Sequence, residues 1–161
     1  MKKGYSLIEL VISLAIISFL ILIVSNLFSL NINTINRSYE DEKEYKEALT
    51  SMTYIDNTIR RSYKIVESDN KDSNFEGYIL SNEGDERNYY FYEENGYLYI
   101  HRSNISKSSS GKGNKISGCG DLYINYDKDK DLVFIRILSK NGTYSFESVV
   151  HVGGKLWKKP L

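Results

Sequence analysis

The start of the chain is almost uniformly apolar after a few polar residues. Between Leu10 and Leu30 no residue is charged, and the stretch contains neither Pro nor Gly. The polar residues within it are Ser13, Ser18, Ser25, Asn26 and Ser29. About 20 such residues can span the core of a bilayer as a helix, and a helix that is apolar all round is typical of a lipid-embedded segment. The pattern therefore predicts a membrane-spanning helix.

A one-sided pattern follows the uniformly apolar one. Residues 31–62 contain no Pro and no Gly. Their apolar positions recur mostly at steps of three or four, and with the next residue they are Ile35, Tyr39, Tyr45, Leu49, Met52, Ile55, Ile59 and Tyr63. Such spacing is typical of an amphipathic helix. We therefore expect one long helix over residues 5–62, with its second half packed against the rest of the protein.

The remainder of the chain has the pattern of short strands. Six segments are rich in aromatic and β-branched residues, namely 75–80, 88–92, 97–101, 122–126, 132–138 and 144–152. Residues 103–120 are rich in Ser, Gly and Lys, and we predict a loop there. The expected fold is α+β, with one antiparallel sheet, or two small ones, resting on the apolar stripe of the long helix.

Two Asn-Gly pairs, Asn95-Gly96 and Asn141-Gly142, are strong signals for hairpins. A turn at each pair places apolar or aromatic residues opposite one another and Arg136 opposite Glu147, and such cross-strand pairs support the register. The predicted cross-strand pairs are Tyr92–Tyr99, Phe91–Ile100, Val133–Val150, Ile137–Phe146 and Arg136–Glu147.

Composition argues against several functions. The chain has 21 Lys and Arg and 21 Asp and Glu, and because polyanion binders are usually clearly basic, direct nucleic-acid binding is not predicted. Cys119 is the sole cysteine, so no internal disulfide can form, and we interpret it as a packed small residue. No catalytic motif occurs. We predict no enzyme activity, no small-molecule substrate and no cofactor.

Acidic residues alternate with lysines in residues 127–131, as acidic ligands do in a calcium-binding loop. Leu132 and Leu138 stand where that pattern requires Gly and Glu. His101 and His151 fall in predicted strands, with no second ligand at a metal-binding spacing. We therefore predict a charged turn between two strands and no metal site.

The residues before the apolar stretch decide between kinds of membrane segment. They read Met1-Lys2-Lys3-Gly4-Tyr5-Ser6-Leu7-Ile8-Glu9. A secretory signal has a shorter apolar region and a small-residue cleavage site after it. A plain anchor fits the length and, by its positive start, places the C-terminal domain outside. It gives no reason for Glu9, a carboxylate that is expensive in an apolar segment.

The stretch from Gly4 to Glu9 resembles the class III signal of type IV prepilins and pseudopilins. The resemblance implies that prepilin peptidase cleaves between Gly4 and Tyr5, that Tyr5 becomes N-methylated, and that Glu9 stands at the fifth mature position. The implied domains are a leader at 1–4, a transmembrane and filament-core helix at 5–30, an amphipathic half at 31–62 and an extracellular β-rich domain at 63–161. Other pilin subunits, which contact residues 5–30, are the expected partners, together with the peptidase and the membrane.

The spacing of Tyr5 and Glu9 has a physical interpretation. Cleavage exposes a cationic amine on Tyr5, and in a bundle of apolar helices the Glu9 carboxylate of a neighbour can neutralise it. Breaking one partner of a buried ion pair typically costs about 3–5 kcal/mol. We therefore expect Glu9 to act in assembly by setting the axial register between subunits.

Three further features favour a minor subunit, and the first is the lone Cys119. Many major pilins carry a kinking Pro at the mature position that Asn26 occupies here. Residues 88–102 look like the central hairpin of minor pilins of the PilW type and of the J-type secretion pseudopilins. The expected function is a minor pilin or pseudopilin of a type IV pilus or related filament. A competence (DNA-uptake) or type II secretion pseudopilin stays open, as does a membrane-tethered extracellular binding domain that never assembles.

Overall fold

The computed structural model of the protein describes residues 6–70, 73–80, 86–105 and 113–152, except for the side chains of 69, 70, 73 and 74. Within these ranges one long helix precedes eight strands. They are α1 (Leu7–Arg60), β1 (Lys64–Asn70), β2 (Ser73–Leu80), β3 (Glu86–Glu94), β4 (Tyr97–Asn104), β5 (Asn114–Gly118), β6 (Asp121–Asp127), β7 (Leu132–Leu138) and β8 (Ser145–His151). The chain divides into two compact units, residues 1–42 and 43–161.

The described part of the first unit is helical from Leu7 onward. Its large apolar side chains are exposed, and by length and composition α1 could cross a membrane. The most apolar stretch of the helix buries no residue within the chain. The long helix that the sequence predicts is therefore confirmed from Leu7 to Arg60.

The second unit contains two antiparallel sheets. Five strands pair in the order β1-β2-β3-β4-β5, and three pair in the order β6-β7-β8. The prediction of two small sheets is thus confirmed over the alternative of a single sheet. All six predicted strands are present.

Two strands were not predicted. β1 carries the sequence KIVESDN and β5 carries NKISG, and both are edge strands with mostly polar residues. The predicted loop at 103–120 is wrong for β5 and for the end of β4, because pairing with β4 holds residues 114–118 despite their polarity. The part of that loop at 106–112 lies outside the described residues.

Both hairpin registers are confirmed, since all five predicted cross-strand pairs occur. In the first hairpin Asn95 and Gly96 have φ angles of 53° and 76°, as a type I′ turn requires. The second ladder ends earlier, at Leu138 and Ser145. The chain then turns through Ser139 and Gly142, whose N–H donates to the Ser139 carbonyl at 2.9 Å.

The core of the second unit lies between the C-terminal part of α1 and the inward faces of both sheets. The helix contributes Ala48, Met52, Ile55 and Ile59, and the sheets contribute mainly Phe75, Tyr89, Phe91, Leu98, Ile100, Val133, Ile135, Ile137 and Val150. Alternate residues of β3, β4 and β7 are buried, as strands with one covered face require. The α+β fold is therefore confirmed, with α1 packed against antiparallel sheets.

The predicted stripe on α1 is buried at three positions and partly or largely exposed at the others, although Tyr45 still packs edge-on against Tyr144 and Phe146. Met52, Ile55 and Ile59 are buried, whereas Tyr45 is 42% and Leu49 is 38% exposed. Small residues at neighbouring positions are buried instead, namely Ala48, Ser51 and Thr58. Ile35 and Tyr39, in the first unit, are also exposed. Ser51 donates its hydroxyl to the Gly118 carbonyl, and the spacing of apolar residues does not reveal such a buried polar position.

The link from β5 to β6 joins the two sheets. The Gly118 carbonyl accepts a hydrogen bond from the Ser51 hydroxyl at 3.0 Å, and the N–H of Cys119 donates to the Gly96 carbonyl at 3.0 Å. The link is therefore held against the helix and the first hairpin, and a Cβ at Gly118 would require the Glu47 side chain to move.

Candidate assembly segment at the N-terminus

The described chain begins with a capped helix end. Ser6 precedes α1, and its N–H donates to Oε2 of Glu9 at 3.0 Å. The N–H of Ile8 points to the Ser6 hydroxyl at 3.4 Å. This is the reciprocal arrangement of a capping box, in which Ser and Glu three residues apart satisfy free N–H groups of the first turn. A negative charge at this end of a helix is also favoured by the helix dipole.

The capping box determines what Glu9 can still do. An ionised carboxylate accepts hydrogen bonds on both oxygens. Within the described residues only Oε2 of Glu9 accepts one, and Glu9 is exposed. Its second oxygen has no partner among the described residues and can accept a hydrogen bond from a further donor.

The surface next to Glu9 is apolar on every side. The large apolar side chains of residues 7–30 are between 41% and 82% exposed. The polar interruptions Ser13 and Ser18 donate their hydroxyls to the carbonyls of Glu9 and Leu14, one turn earlier in the helix, at 2.7 and 2.8 Å. Because these two hydroxyls are satisfied inside the helix, they need no water, and lipid or the apolar helices of other proteins could surround this part of the segment.

The predicted site residues are only partly covered by the structure. Gly4 and Tyr5 lie outside the described residues, so cleavage and N-methylation stay predictions. Glu9 is described, at the N-terminal end of the apolar helix. Sequence reasoning missed Ser6 as the helix cap, although the Ser-x-x-Glu spacing of Ser6 and Glu9 would have revealed it.

The acidic turn at residues 127–131 and His101 interact with neighbouring groups of the protein. Residues 127–131 form the turn between β6 and β7, where Asp127 Oδ1 accepts the N–H groups of Asp129 and Lys130 at 3.1 and 3.2 Å. His101 stacks on Tyr90 with ring centroids 4.9 Å apart. In the ranges that the structure describes, no group of three His, Cys, Asp or Glu residues could hold a metal ion.

Tyr97 is placed between two positive charges in the second unit. The Lys115 and Lys140 ammonium groups lie 3.0 and 3.5 Å from the centroid of its ring. The hydrogen bond from Lys140, together with both positive charges, lowers the pKa of the Tyr97 phenol. Lys140 also lies 3.7 Å from the Glu47 carboxylate. The cluster joins the two hairpins to the helix, and we assign it a structural role.

Comparison with known proteins identifies one segment. Residues 1–25 match the family model described as the prokaryotic N-terminal methylation motif. The matched range includes Gly4, Tyr5, the capping box and most of the apolar stretch. No curated protein and no solved structure matches the chain.

Proposed function

We propose that the chain, whose residues 1–25 match the prokaryotic N-terminal methylation motif of type IV pilins and pseudopilins, is a minor structural subunit of a type IV pilus or related filament. It is inserted in the cytoplasmic membrane with residues 63–161 outside, and prepilin peptidase cleaves it after Gly4. The N-methylated Tyr5 then begins the mature chain. Residues 5–30 leave the lipid and become buried among the helices of other subunits.

The observation that carries this proposal is the exposed apolar helix with a capped carboxylate at its end. Residues 7–30 provide apolar surface all round, and Glu9 has an oxygen available for an external donor. In low dielectric an isolated carboxylate is strongly disfavoured. A neighbouring subunit that brings its Tyr5 amine to Glu9 would satisfy both charges and would fix the axial register.

Processing is tested directly on the full chain. Expressed with a prepilin peptidase and tagged at the C-terminus, the protein should yield a mature N-terminus at Tyr5. Replacing Gly4 by Leu should leave an uncut band, while Lys3→Leu should still be cut. A mature chain that starts at Met1 would reject the proposal and would favour a membrane-tethered domain that never assembles.

The role of Glu9 is tested by two substitutions that separate charge from capping. Glu9→Ala removes both, whereas Glu9→Gln keeps an oxygen for the Ser6 N–H and removes the charge. If Glu9 pairs with the amine of a neighbour, both variants should be cleaved and inserted but should be depleted at least about tenfold from sheared filaments, since one partner of a buried pair is lost. Normal incorporation of Glu9→Gln would reduce Glu9 to a helix cap.

The finer assignment to a minor subunit is supported by Asn26 in place of the kinking Pro of many major pilins. Quantifying the protein in sheared filaments tests it, because a minor subunit should be far less abundant than the principal one. The genes that accompany this chain would distinguish a pilus from a secretion or competence filament.

A further inference from the structure

The second sheet has a free edge at β8. In the order β6-β7-β8 this strand has a neighbour on one side only. In an antiparallel ladder, alternate residues of a strand direct their N–H and C=O groups to the same side. The Val152 N–H donates to the Asp131 carbonyl at 2.8 Å, and the pairing with β7 continues in that register. The N–H and C=O groups that point away from β7 are therefore those of Ser145, Glu147, Val149 and His151.

This edge has the form that a further strand can use. Its ladder with β7 runs over seven residues without a bulge, and β8 contains neither Pro nor Lys. Natural proteins usually protect a free edge by such features or cover it with another part of the chain. Among the described residues, no strand pairs with this side of β8.

The side chains next to the edge indicate which strand would fit. Val149 is 50% exposed, and Phe134, its partner on β7, is 36% exposed on the same face of the sheet. Glu147, the neighbouring outward residue of β8, is also exposed. Directly opposite side chains on paired strands interact. A matching strand therefore has an apolar side chain opposite Val149 and a cationic one opposite Glu147.

The chain continues from β8 into a segment with this pattern. Residues 153–161, which lie outside the described residues, read Gly-Gly-Lys-Leu-Trp-Lys-Lys-Pro-Leu. A three-residue hairpin loop takes Gly at its last position, and residues 152–154 provide Gly154 there. Counting back from this loop places Trp157 opposite Val149 and Lys159 opposite Glu147.

Two further observations favour this register. A two-residue loop at Gly153-Gly154 would require Val152 to face the new strand, whereas its N–H is bonded to Asp131 on the side of β7. With the three-residue loop, Pro160 falls at a position whose nitrogen points away from β8. Its missing N–H therefore removes no ladder hydrogen bond, as is usual for Pro in an edge strand.

We propose that residues 155–161 form a fourth strand of the second sheet, paired antiparallel with the free edge of β8 in the same chain. Trp157 covers Val149 and Phe134, and Lys159 faces Glu147. The segment has three lysines and no acid, which suits an edge whose exposed side chains include a carboxylate. The new strand closes this side of the sheet to strands of other proteins. The contact does not depend on whether the chain assembles into a filament.

Tryptophan fluorescence tests the contact, because Trp157 is the sole tryptophan of the chain. In the full chain in detergent, its emission should lie at shorter wavelength, and acrylamide should quench it less, than in the protein unfolded by urea. Val149→Lys should remove most of this difference, because it places a charge against the ring. Tyr123→Lys is the matched control and should keep it, since Tyr123 is 54% exposed on β6, at the opposite edge of the sheet.

Cysteine pairs test the register. Glu147→Cys with Lys159→Cys should form an intrachain disulfide on mild oxidation, because directly opposite residues lie within the Cα distance of about 4.4–6.8 Å that a disulfide requires. In the matched control, Glu147→Cys with Lys158→Cys, the two side chains point to opposite faces, so the bridge should be at least about tenfold less abundant. Native Cys119 is buried, and mass spectrometry of peptides identifies the bridge.

Contrary results would show that the edge is open or is covered by another chain. Equal quenching of Trp157 in folded and unfolded protein overturns the contact, as does an unchanged emission in Val149→Lys. A disulfide between positions 147 and 159 of two differently tagged copies, or from position 159 to a different protein, also overturns it. An intrachain bridge in a protein that never enters filaments supports the contact and rejects only the filament function.

Discussion

The apolar residues of α1 differ in their surroundings at the two ends of the helix. Between residues 7 and 30 the large apolar side chains are exposed, whereas Ala48, Met52, Ile55 and Ile59 are buried against the two sheets. Burying apolar surface contributes about 25 cal/mol per Å². In the second unit the chain itself provides that burial. The first stretch buries none of it within the described chain, so its sequence suits lipid or the apolar surfaces of other proteins.

The two regions also differ in how their polar groups are hydrogen-bonded. The buried hydroxyls of Ser51, Ser62 and Ser139 are hydrogen-bonded to other parts of the second unit, and Ser62 also contacts the Tyr89 hydroxyl. Among the described residues, no buried side-chain nitrogen or oxygen lacks a partner. Glu9, in contrast, accepts a hydrogen bond on one oxygen only within the described part of the chain. The described polar groups of the second unit thus find their partners within it, whereas Glu9 can accept a further one.

The largest expected effect comes from one substitution made in both regions. Phe91 on β3 is 1% exposed and packs edge-to-face on Tyr54 and Tyr89, while Phe19 on α1 is 65% exposed. Phe91→Ala should lower the free energy of unfolding of the second unit by about 3–5 kcal/mol, because it leaves a cavity in the core. Denaturant titration of the full chain in detergent, followed by near-UV circular dichroism, measures it.

Phe19→Ala is the matched control for that measurement. It should leave the unfolding of the second unit within about 0.5 kcal/mol of the parent protein, as substitutions away from buried features do. A loss of several kcal/mol in Phe19→Ala would contradict the division between the two regions.

A smaller effect is expected at Gly77 on β2. A Cβ at this position would lie 2.3 Å from the ring of Tyr89, which is itself fully buried. Because the ring cannot move aside without disturbing the core, Gly77→Ala should cost about 1–3 kcal/mol in unfolding free energy. Tyr89→Phe should not relieve the cost, since the ring carbons are also too close. A neutral Gly77→Ala would show that this part of the core is loosely packed.

The sequence predicted those parts of the fold in which pattern and burial coincide. Alternating aromatic residues and Asn-Gly turns were sufficient for β3, β4, β7 and β8 and for their registers. β1 and β5 were missed because edge strands with one half-covered face need few apolar residues. The spacing of apolar residues placed Tyr45 and Leu49 on the packed stripe, where Tyr45 contacts Tyr144 and Phe146 but both stay partly exposed, whereas the fully buried positions include the smaller Ala48 and Ser51.

Functional residues can be predicted from the sequence when they are close together in it. Gly4, Tyr5 and Glu9 lie within one short segment, so their spacing alone predicted a processing and assembly site. A groove beside the C-terminal part of α1, in contrast, brings together Arg61, which directly follows the helix, and Arg102 from β4, which are 41 positions apart in sequence. No local pattern connects them, and only the packing of α1 against β4 places them side by side.

The smallest expected effect concerns the link between the two sheets. Burial of Cys119, together with the nearby carboxylates of Glu93 and Asp121, raises the pKa of its thiol to about 12. In the unfolded chain a cysteine titrates near pH 8.5. A raised pKa in the folded state means that the stabilisation is complete below pH 8.5 and is lost as the pH rises towards 12. At pH 9.5 the loss from Cys119 relative to pH 7 should be about 1.4 kcal/mol in unfolding free energy.

Cys119→Ala should remove this contribution to the pH dependence, whatever the stability of the variant itself. The native thiol should resist alkylation at pH 8 until the protein unfolds. Rapid alkylation of the folded protein would show that the link opens, and the two sheets would then be joined less firmly than the hydrogen bonds of Gly118 and Cys119 imply.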